Sequence, residues 1–283
     1  MNHFALNDIV TLALMEDVGL GDLTSRYTIP ENLVGSARVR ARAPVVLSGL
    51  LAAEETMRQM DSRIVFTPLA ADGDHLIPGS EIAHLQGSAA SILSAERVAL
   101  NFLMHLSGVA TLTAKFVTAV ANSGIAVVDT RKTTPGLRFL EKAAVRHGGG
   151  RNHRFALYDG ILIKDNHIAA AGSIAKAVSR ARFAAPHTLK IEVEVDTLDQ
   201  LKEALTAGAD LVLLDNMRPD LLRQAVWVTE NFYAPMPRLT LLEASGGINL
   251  DSIGSIAKTG VDLISVGAIT HSAPSVDLGL DWD

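Results

Sequence analysis

The sequence predicts an α/β protein in two parts, a smaller α+β domain followed by a closed or nearly closed barrel of parallel βα units. Three observations carry this. From about Gly124 onward, short apolar, β-branched runs that end in polar residues alternate with segments of helical period. The stretch before about residue 110 has a different rhythm, of short strands and turns. The composition, 48 % hydrophobic but 5 % aromatic, suits buried parallel strands covered by helices better than an all-β sandwich. At 283 residues the chain has ample material for a core.

Taken in order, residues 1–17 read as an amphipathic helix. No basic segment precedes their apolar residues and no small-residue cleavage site follows, so they do not read as a signal peptide. GLGD, Gly19–Asp22, fails the spacing of a dinucleotide fingerprint and reads as a turn. Two strand-like stretches, SARVRARAPVVLSG and RIVFTPLAADGDHLIPGSEIAHLQG, follow with turn signals at Asp72-Gly73 and Pro78-Gly79, and AAEETMRQM lies between them as a helix. A long helix over Ala95–Val120 links the two domains. The barrel strands are then 125–132, 160–166, 189–196, 211–216, 239–245 and 263–268. Intervening helices open with the capping residues Thr197 and Asn249 and close at Gly208 and Gly260.

Barrel chemistry sits at the C-terminal ends of the strands. Here those ends carry Arg131 and Lys132, Lys164 with Asp165 and Asn166, Glu194 with Asp196, Asp215 with Asn216, Glu243 with Ser245, and Gly267. Charge is also concentrated there. Residues 129–165 hold eight Arg or Lys against four Asp or Glu, a local +4 in a chain of net charge -6, leaving -10 for the rest. A cationic island in an acidic chain points to a pocket for a small polyanion and away from a nucleic-acid surface. The absence of cysteine excludes disulfides, thiolate metal sites and a cysteine nucleophile. The apolar run at 43–53 is too short and too interrupted to span a membrane, so a soluble cytoplasmic protein is the default expectation.

Each candidate residue has a plainer reading beside the functional one. An adjacent Arg-Lys pair is ordinarily solvated surface. Arg131 and Lys132, however, end a buried-type strand and precede Thr133-Thr134-Pro135-Gly136, a turn into a helix whose amides favour anions. The glycine run 148–150 is a flexible loop or an anion cradle. Lys164 at a strand end is able to form an imine with a carbonyl substrate. His153 and His167 lack a second ligand at helical spacing and read as hydrogen-bonding residues before metal ligands. Glu194 and Asp215 end successive strands and suit Mg²⁺, sugar hydroxyls, or structural ion pairs. Ser245-Gly246-Gly247 and Val266-Gly267-Ala268 resemble the paired phosphate loops of late barrel strands.

The motifs EDVGLGDLTS (from Glu16), SAERVALNFL (from Ser94), DTRKTTPGLR (from Asp129), GGGRNHR (from Gly148), LIKDNHI (from Leu162), EVEVDTLDQL (from Glu192), LLDNM (from Leu213), EASGGI (from Glu243) and GVDLISVGAITHS (from Gly260) run in one order over nearly the whole chain. Together they resemble the quinolinate phosphoribosyltransferases. The resemblance implies an N-terminal open-faced α/β sandwich over residues 1–110 and a seven-stranded parallel α/β barrel over 111–271, with the tail 272–283 packing back on the first domain. It implies a homodimer or higher even oligomer with sites at the subunit interface. The activity implied is phosphoribosyl transfer from 5-phosphoribosyl 1-pyrophosphate to quinolinate with decarboxylation, in NAD biosynthesis, with Mg²⁺ as cofactor and neither nucleic acid nor membrane as partner. Position by position, Arg97 (from the partner subunit), Arg131, His153, Arg154 and Lys164 would hold quinolinate. Thr130 would contact substrate, and Lys132, Glu194 and Asp215 would bind the phosphoribosyl pyrophosphate, with those three catalytic and the two carboxylates serving Mg²⁺, directly or indirectly. Ser245, Gly246, Gly247, Val266, Gly267 and Ala268 would cradle the 5′-phosphate, with His271 close by.

Three rivals remain at this point. One is a phosphoribosyltransferase of the same architecture with another acceptor, such as nicotinate. Another is a Schiff-base aldolase using Lys164, and the third a metabolite-binding protein that turns nothing over.

Overall fold

Along the chain the elements are α1 (His3–Asp17), α2 (Leu23–Thr28), β1 (Val34–Ala41), β2 (Val45–Val46), α3 (Leu50–Met60), β3 (Val65–Pro68), β4 (His75–Leu76), β5 (Glu81–Ser88) and α4 (Ala89–Ala119). There follow β6 (Ala126–Val128), α5 (Arg138–His147), β7 (Ile161–Ile163), α6 (Asp165–Ala171), α7 (Ile174–Ala184), β8 (Ile191–Val195) and α8 (Leu198–Thr206). The chain ends with β9 (Leu211–Asp215), α9 (Pro219–Tyr233), β10 (Leu241–Ser245), α10 (Leu250–Ile256), β11 (Leu263–Ser265), α11 (Ala268–His271) and β12 (Leu278–Trp282). They are seen in a computed structural model that describes residues 3–283, with side chains from residue 5. One compact unit holds the chain up to Ala114 with Thr133–Gly149 and Ile269–Asp283; the other holds Lys115–Lys132 and Gly150–Ala268.

The first unit is built on an antiparallel sheet of order β12-β1-β5-β3, with the small ladder β2-β4 beside it. Alternating residues of β1 and β5, among them Ala37, Val39, Ala83 and Leu85, bury one face against Met57 of α3 and Ile92, Leu100 and Leu103 of α4. The predicted turns at Asp72-Gly73 and Pro78-Gly79 are present, with both glycines at positive φ. Asp22 ends the predicted GLGD turn by capping α2, its carboxylate accepting the Ser25 N–H at 3.0 Å. Helix α4 starts at Ala89, six residues before the predicted Ala95, because AASILS contains no Gly or Pro to mark the passage from β5. By length and composition α4 would cross a membrane, yet half of its most apolar window is buried inside the fold, as in a core helix. The C-terminal strand β12 pairs antiparallel with β1 from Ala37↔Trp282 to Ala41↔Leu278.

The second unit is a parallel sheet of order β6-β11-β10-β9-β8-β7, with each predicted run supplying one strand. The runs read as strands because their alternate residues, such as Ile191, Val193 and Val195, are fully buried. The seventh strand is only a single parallel bridge: Arg151 donates its N–H to the Val127 carbonyl at 2.9 Å and accepts from Asp129 at 3.1 Å. Thr197 and Asn249 cap α8 and α10 as their sequence positions predict.

The glycine run has a packing role. A Cβ on Gly148 would lie 2.3 Å from the Ala110 carbonyl oxygen and 2.7 Å from Thr113 Cβ on α4. Only glycine lets these two backbones approach so closely, so the flexible-loop reading fails at that position.

Candidate active site

Parallel strands bring their C-terminal ends to one rim. There, a cavity of about 380 Å³ is lined by Thr130, Arg131 and Lys132 after β6, by Lys164 after β7, and by Glu194, Asp215 and Ser245 at the ends of β8, β9 and β10. His153 and Arg154 enter from the bridging segment, and Gly246 and Gly247 continue from Ser245. Eleven of the residues singled out from the sequence therefore meet in one cavity. Glu243, Asn216 and Ser265 line it as well, and only the first two stood out as strand-end polar groups.

The other candidates are placed differently. Val266 is buried and its N–H donates to the Val128 carbonyl at 2.9 Å, so it serves the sheet; Val266, Gly267 and Ala268 do not line the cavity. Arg97, exposed on α4, and His271, exposed with Nδ1 2.6 Å from the Ser272 hydroxyl, belong to the first unit.

Local hydrogen bonds hold the lining residues. Lys164 Nζ donates to Glu194 Oε2 at 2.5 Å. Asn216 stands at φ 52° and donates its side-chain N–H to Asp215 Oδ2 at 2.7 Å and its backbone N–H to the Ser245 carbonyl at 2.9 Å. The Thr130 hydroxyl accepts from the Lys132 N–H at 3.0 Å, which fixes the turn that presents Arg131 and Lys132. Arg154 donates Nη1–H to the Gly160 carbonyl at 3.0 Å. Burial, and then the neighbouring Arg131, lower the Arg154 guanidinium from its ordinary value without threatening its charge.

Beneath the rim the buried Asp129 accepts from the His153 backbone N–H at 2.8 Å and from Asn152 Nδ2 at 2.6 Å. It anchors the bridging segment to the end of β6, a role the sequence did not reveal. The cavity thus gathers four basic side chains, Arg131, Lys132, Arg154 and Lys164, with the acidic side chains Glu194, Asp215 and Glu243. Such a lining attracts a polyanion while keeping acceptors for sugar hydroxyls or a hard cation.

A parallel α/β barrel whose rim holds a cationic pocket, two strand-end carboxylates and a Ser-Gly-Gly turn defines a barrel enzyme acting on small phosphorylated anions. The sequence matches the quinolinate phosphoribosyl transferase C-terminal domain over residues 109–281 and the N-terminal domain of the same family over residues 22–107. It is 46 % identical over 281 residues to the probable carboxylating nicotinate-nucleotide pyrophosphorylase of Bacillus subtilis (strain 168), covering 99 % of this chain and 94 % of that one. It is 42 % identical over 282 residues to the carboxylating nicotinate-nucleotide pyrophosphorylase of Mycobacterium leprae, covering 98 % and 97 %. The structure resembles that of the nicotinate-nucleotide pyrophosphorylase from Francisella tularensis with a TM-score of 0.94 and 41 % identity, over 100 % of this chain and 98 % of that one. The chain belongs to the quinolinate phosphoribosyltransferase family.

Proposed function

We infer that the chain transfers the phosphoribosyl group of 5-phosphoribosyl 1-pyrophosphate to the ring nitrogen of quinolinate and releases the 2-carboxylate as CO₂. The products are nicotinate mononucleotide, CO₂ and pyrophosphate. The observation that carries this is one cavity lined by Arg131, Lys132, Arg154, Lys164, Glu194, Asp215 and the Ser245–Gly247 turn, in a chain whose family acts on quinolinate.

Both substrates are multiply anionic, and bringing them together in water is opposed by their charge. Arg131, Arg154 and Lys164 supply fixed donors for the two carboxylates of quinolinate, with Arg97 completing the set from the partner subunit of a homodimer. Lys132 faces the pyrophosphate and stabilises it as it leaves. As the anomeric carbon gains oxocarbenium character, Glu194 and Asp215 lie on the rim to hold the ribose hydroxyls and favour the developing positive charge. The Ser245–Gly247 turn offers backbone N–H groups to the 5′-phosphate. Attack by nitrogen leaves a cationic ring, that charge stabilises the C2 carbanion left when CO₂ departs, and a proton taken up from solvent at C2 completes nicotinate mononucleotide.

The hard oxygen donors of Glu194 and Asp215 fit Mg²⁺, which when bound would neutralise charge on the pyrophosphate. No protein nucleophile is needed, and most of the acceleration comes from positioning and preorganised charge. The hydrogen bond to Glu194 already engages the Lys164 amine that imine formation would need, which weighs against the aldolase reading. Work in the cytoplasm belongs to the same proposal. The test is an assay for quinolinate-dependent consumption of phosphoribosyl pyrophosphate with release of CO₂ in equal amount. Turnover of nicotinate in its place, or none with either, would overturn the proposal.

A further inference from the structure

A second cavity, of about 310 Å³, lies in the barrel unit, with Lys190, Asp159 and Arg151 among its exposed lining residues. His153, Arg154 and Glu243 line both cavities and so stand between them. Beside them Glu192, 5 % exposed, and Glu243, 1 % exposed, project from β8 and β10. His153 Nε2 lies 2.9 Å from Glu192 Oε2 and 3.7 Å from Glu243 Oε2. Glu192 Oε1 and both oxygens of Glu243 are buried without a hydrogen-bond partner. Two carboxylates enclosed in this way need a compensating positive charge or a proton.

His153, Glu192 and Glu243 have the donor atoms of a metal site, lying within 4.8 Å of one another. The imidazole argues against one. The Arg154 backbone N–H donates to His153 Nδ1 at 2.7 Å, which assigns the lone pair to Nδ1. The single proton of the neutral ring is then on Nε2 and points at Glu192. A metal at Nε2 would have to displace that proton and leave the ring an anion. His153 Nε2 and the Arg154 guanidinium both bear on Glu192, which is thereby compensated. For Glu243, whose two buried oxygens have no hydrogen-bond partner, the compensation that remains is a proton on its own carboxyl group.

We propose that Glu243 acts as a neutral carboxylic acid, a positioning residue forming the uncharged floor of the anion pocket, where its proton keeps a further negative charge away from quinolinate and preserves the Glu192–His153–Arg154 arrangement. The proposal rests on the quinolinate reading above. The groups facing Glu243 are Glu192 on β8, His153, Asp129 after β6 and Ser265 on β11, with Leu213 of β9 and Leu263 of β11 beside it in register. Burial, and then the charge of Glu192, push its carboxyl up to about 7. The floor is therefore neutral in mild acid and becomes charged as the pH rises through neutrality.

The experiment measures kcat and KM for quinolinate from pH 6 to 9 in the wild-type enzyme and in Glu243→Gln, whose amide keeps the neutral form at every pH. In the wild type, KM should rise roughly tenfold across this range, as expected for one added charge near the bound dianion, with kcat changing far less. In Glu243→Gln that rise should vanish. A variant whose KM rises in parallel with the wild type overturns the proposal. So does a divalent ion that a variant with Glu194 and Asp215 both replaced still binds and that the same variant carrying Glu243→Gln does not. Infrared difference spectra of the wild type give a second reading that needs neither turnover nor a folded variant. A buried carboxylic C=O band present at pH 6 and lost by pH 9 supports the proposal, and its absence at pH 6 overturns it. A wild type without quinolinate turnover would refute the proposed function separately.

Discussion

Gly246 lies against Asn216 with no room for a side chain: a Cβ on Gly246 would fall 2.2 Å from Asn216 Oδ1 and 2.9 Å from its backbone nitrogen. Gly246 also stands at φ 99°, where other residues are strained. The contact matters because Asn216 connects two strand ends, donating to Asp215 and to the Ser245 carbonyl. Gly246→Ala should therefore displace Asp215 and the proposed phosphate turn together. We expect kcat/KM for phosphoribosyl pyrophosphate to fall about a hundredfold, since misplacing groups by about 1 Å is enough for such losses. Steady-state kinetics with that substrate varied would check it; a loss below threefold would show that the turn does not position this substrate.

The relation between Asn216 and Gly246 marks where sequence reading stops. The strands of the barrel were legible because Val, Ile and Leu alternate in short runs, and their polar ends named most of the cavity. Glu192 was not legible as a buried group. In IEVEV the two glutamates look equivalent, yet Glu194 is partly open at the rim and Glu192 lies one layer deeper. Depth inside a barrel depends on how neighbouring strands are staggered, which no local pattern records. The bridge at Arg151 was hidden for a related reason: one residue of pairing leaves no periodicity to read. Nothing in a strand-end Val-Gly-Ala shows that the Val266 amide is spent in the sheet, where it donates to Val128.

Lys132 is exposed on a turn fixed by Thr130, so its worth should be catalytic more than structural. Lys132→Ala should lower kcat by about a hundredfold or more, the scale for removing a preorganised charge from a leaving group. Its melting temperature should stay within roughly 2 °C of wild type, as for surface substitutions away from packing features. Activity assays and calorimetry on one preparation would separate the two effects, and near-normal turnover would remove Lys132 from the mechanism.

Arg97 lies exposed on α4 in the first unit, while Lys164 lines the barrel cavity. If each site draws Arg97 from the partner subunit, inactive Arg97→Ala and Lys164→Ala chains should complement one another. Dissociating and remixing equal amounts should place one intact site in each mixed dimer and restore roughly a quarter of wild-type activity at random pairing. Mixtures that stay inactive, with mixed dimers confirmed by native mass spectrometry, would assign Arg97 to its own subunit or to no site.

The last strand of the chain should make the first unit sensitive to acid. On the sheet face, Arg38 and Arg40 hold Glu81 at 2.9 and 2.7 Å, Arg38 holds Asp283 at 3.1 Å, and Arg40 and Arg42 both pair with Asp281. Hydrogen bonds from these arginines hold Glu81 and Asp281 below their ordinary range; the Ser36 hydroxyl, with Arg38, does the same for Asp283. Carboxyl groups lowered in the folded state stabilise it above their unfolded values near 4, and that contribution disappears as the pH falls through the folded values. All three are partly open to solvent, so the effect of each is small and screened by salt. Asp281→Asn with Asp283→Asn should therefore lower the melting temperature slightly at pH 7 and flatten its decline below pH 4. Leu278 is buried in the core beneath this ladder, so deleting residues 278–283 should cost more than removing the charges. Thermal melts at pH 7 and pH 3.5, in low and high salt, would check both; a double variant as acid-sensitive as the wild type would show that these pairs do not anchor the strand.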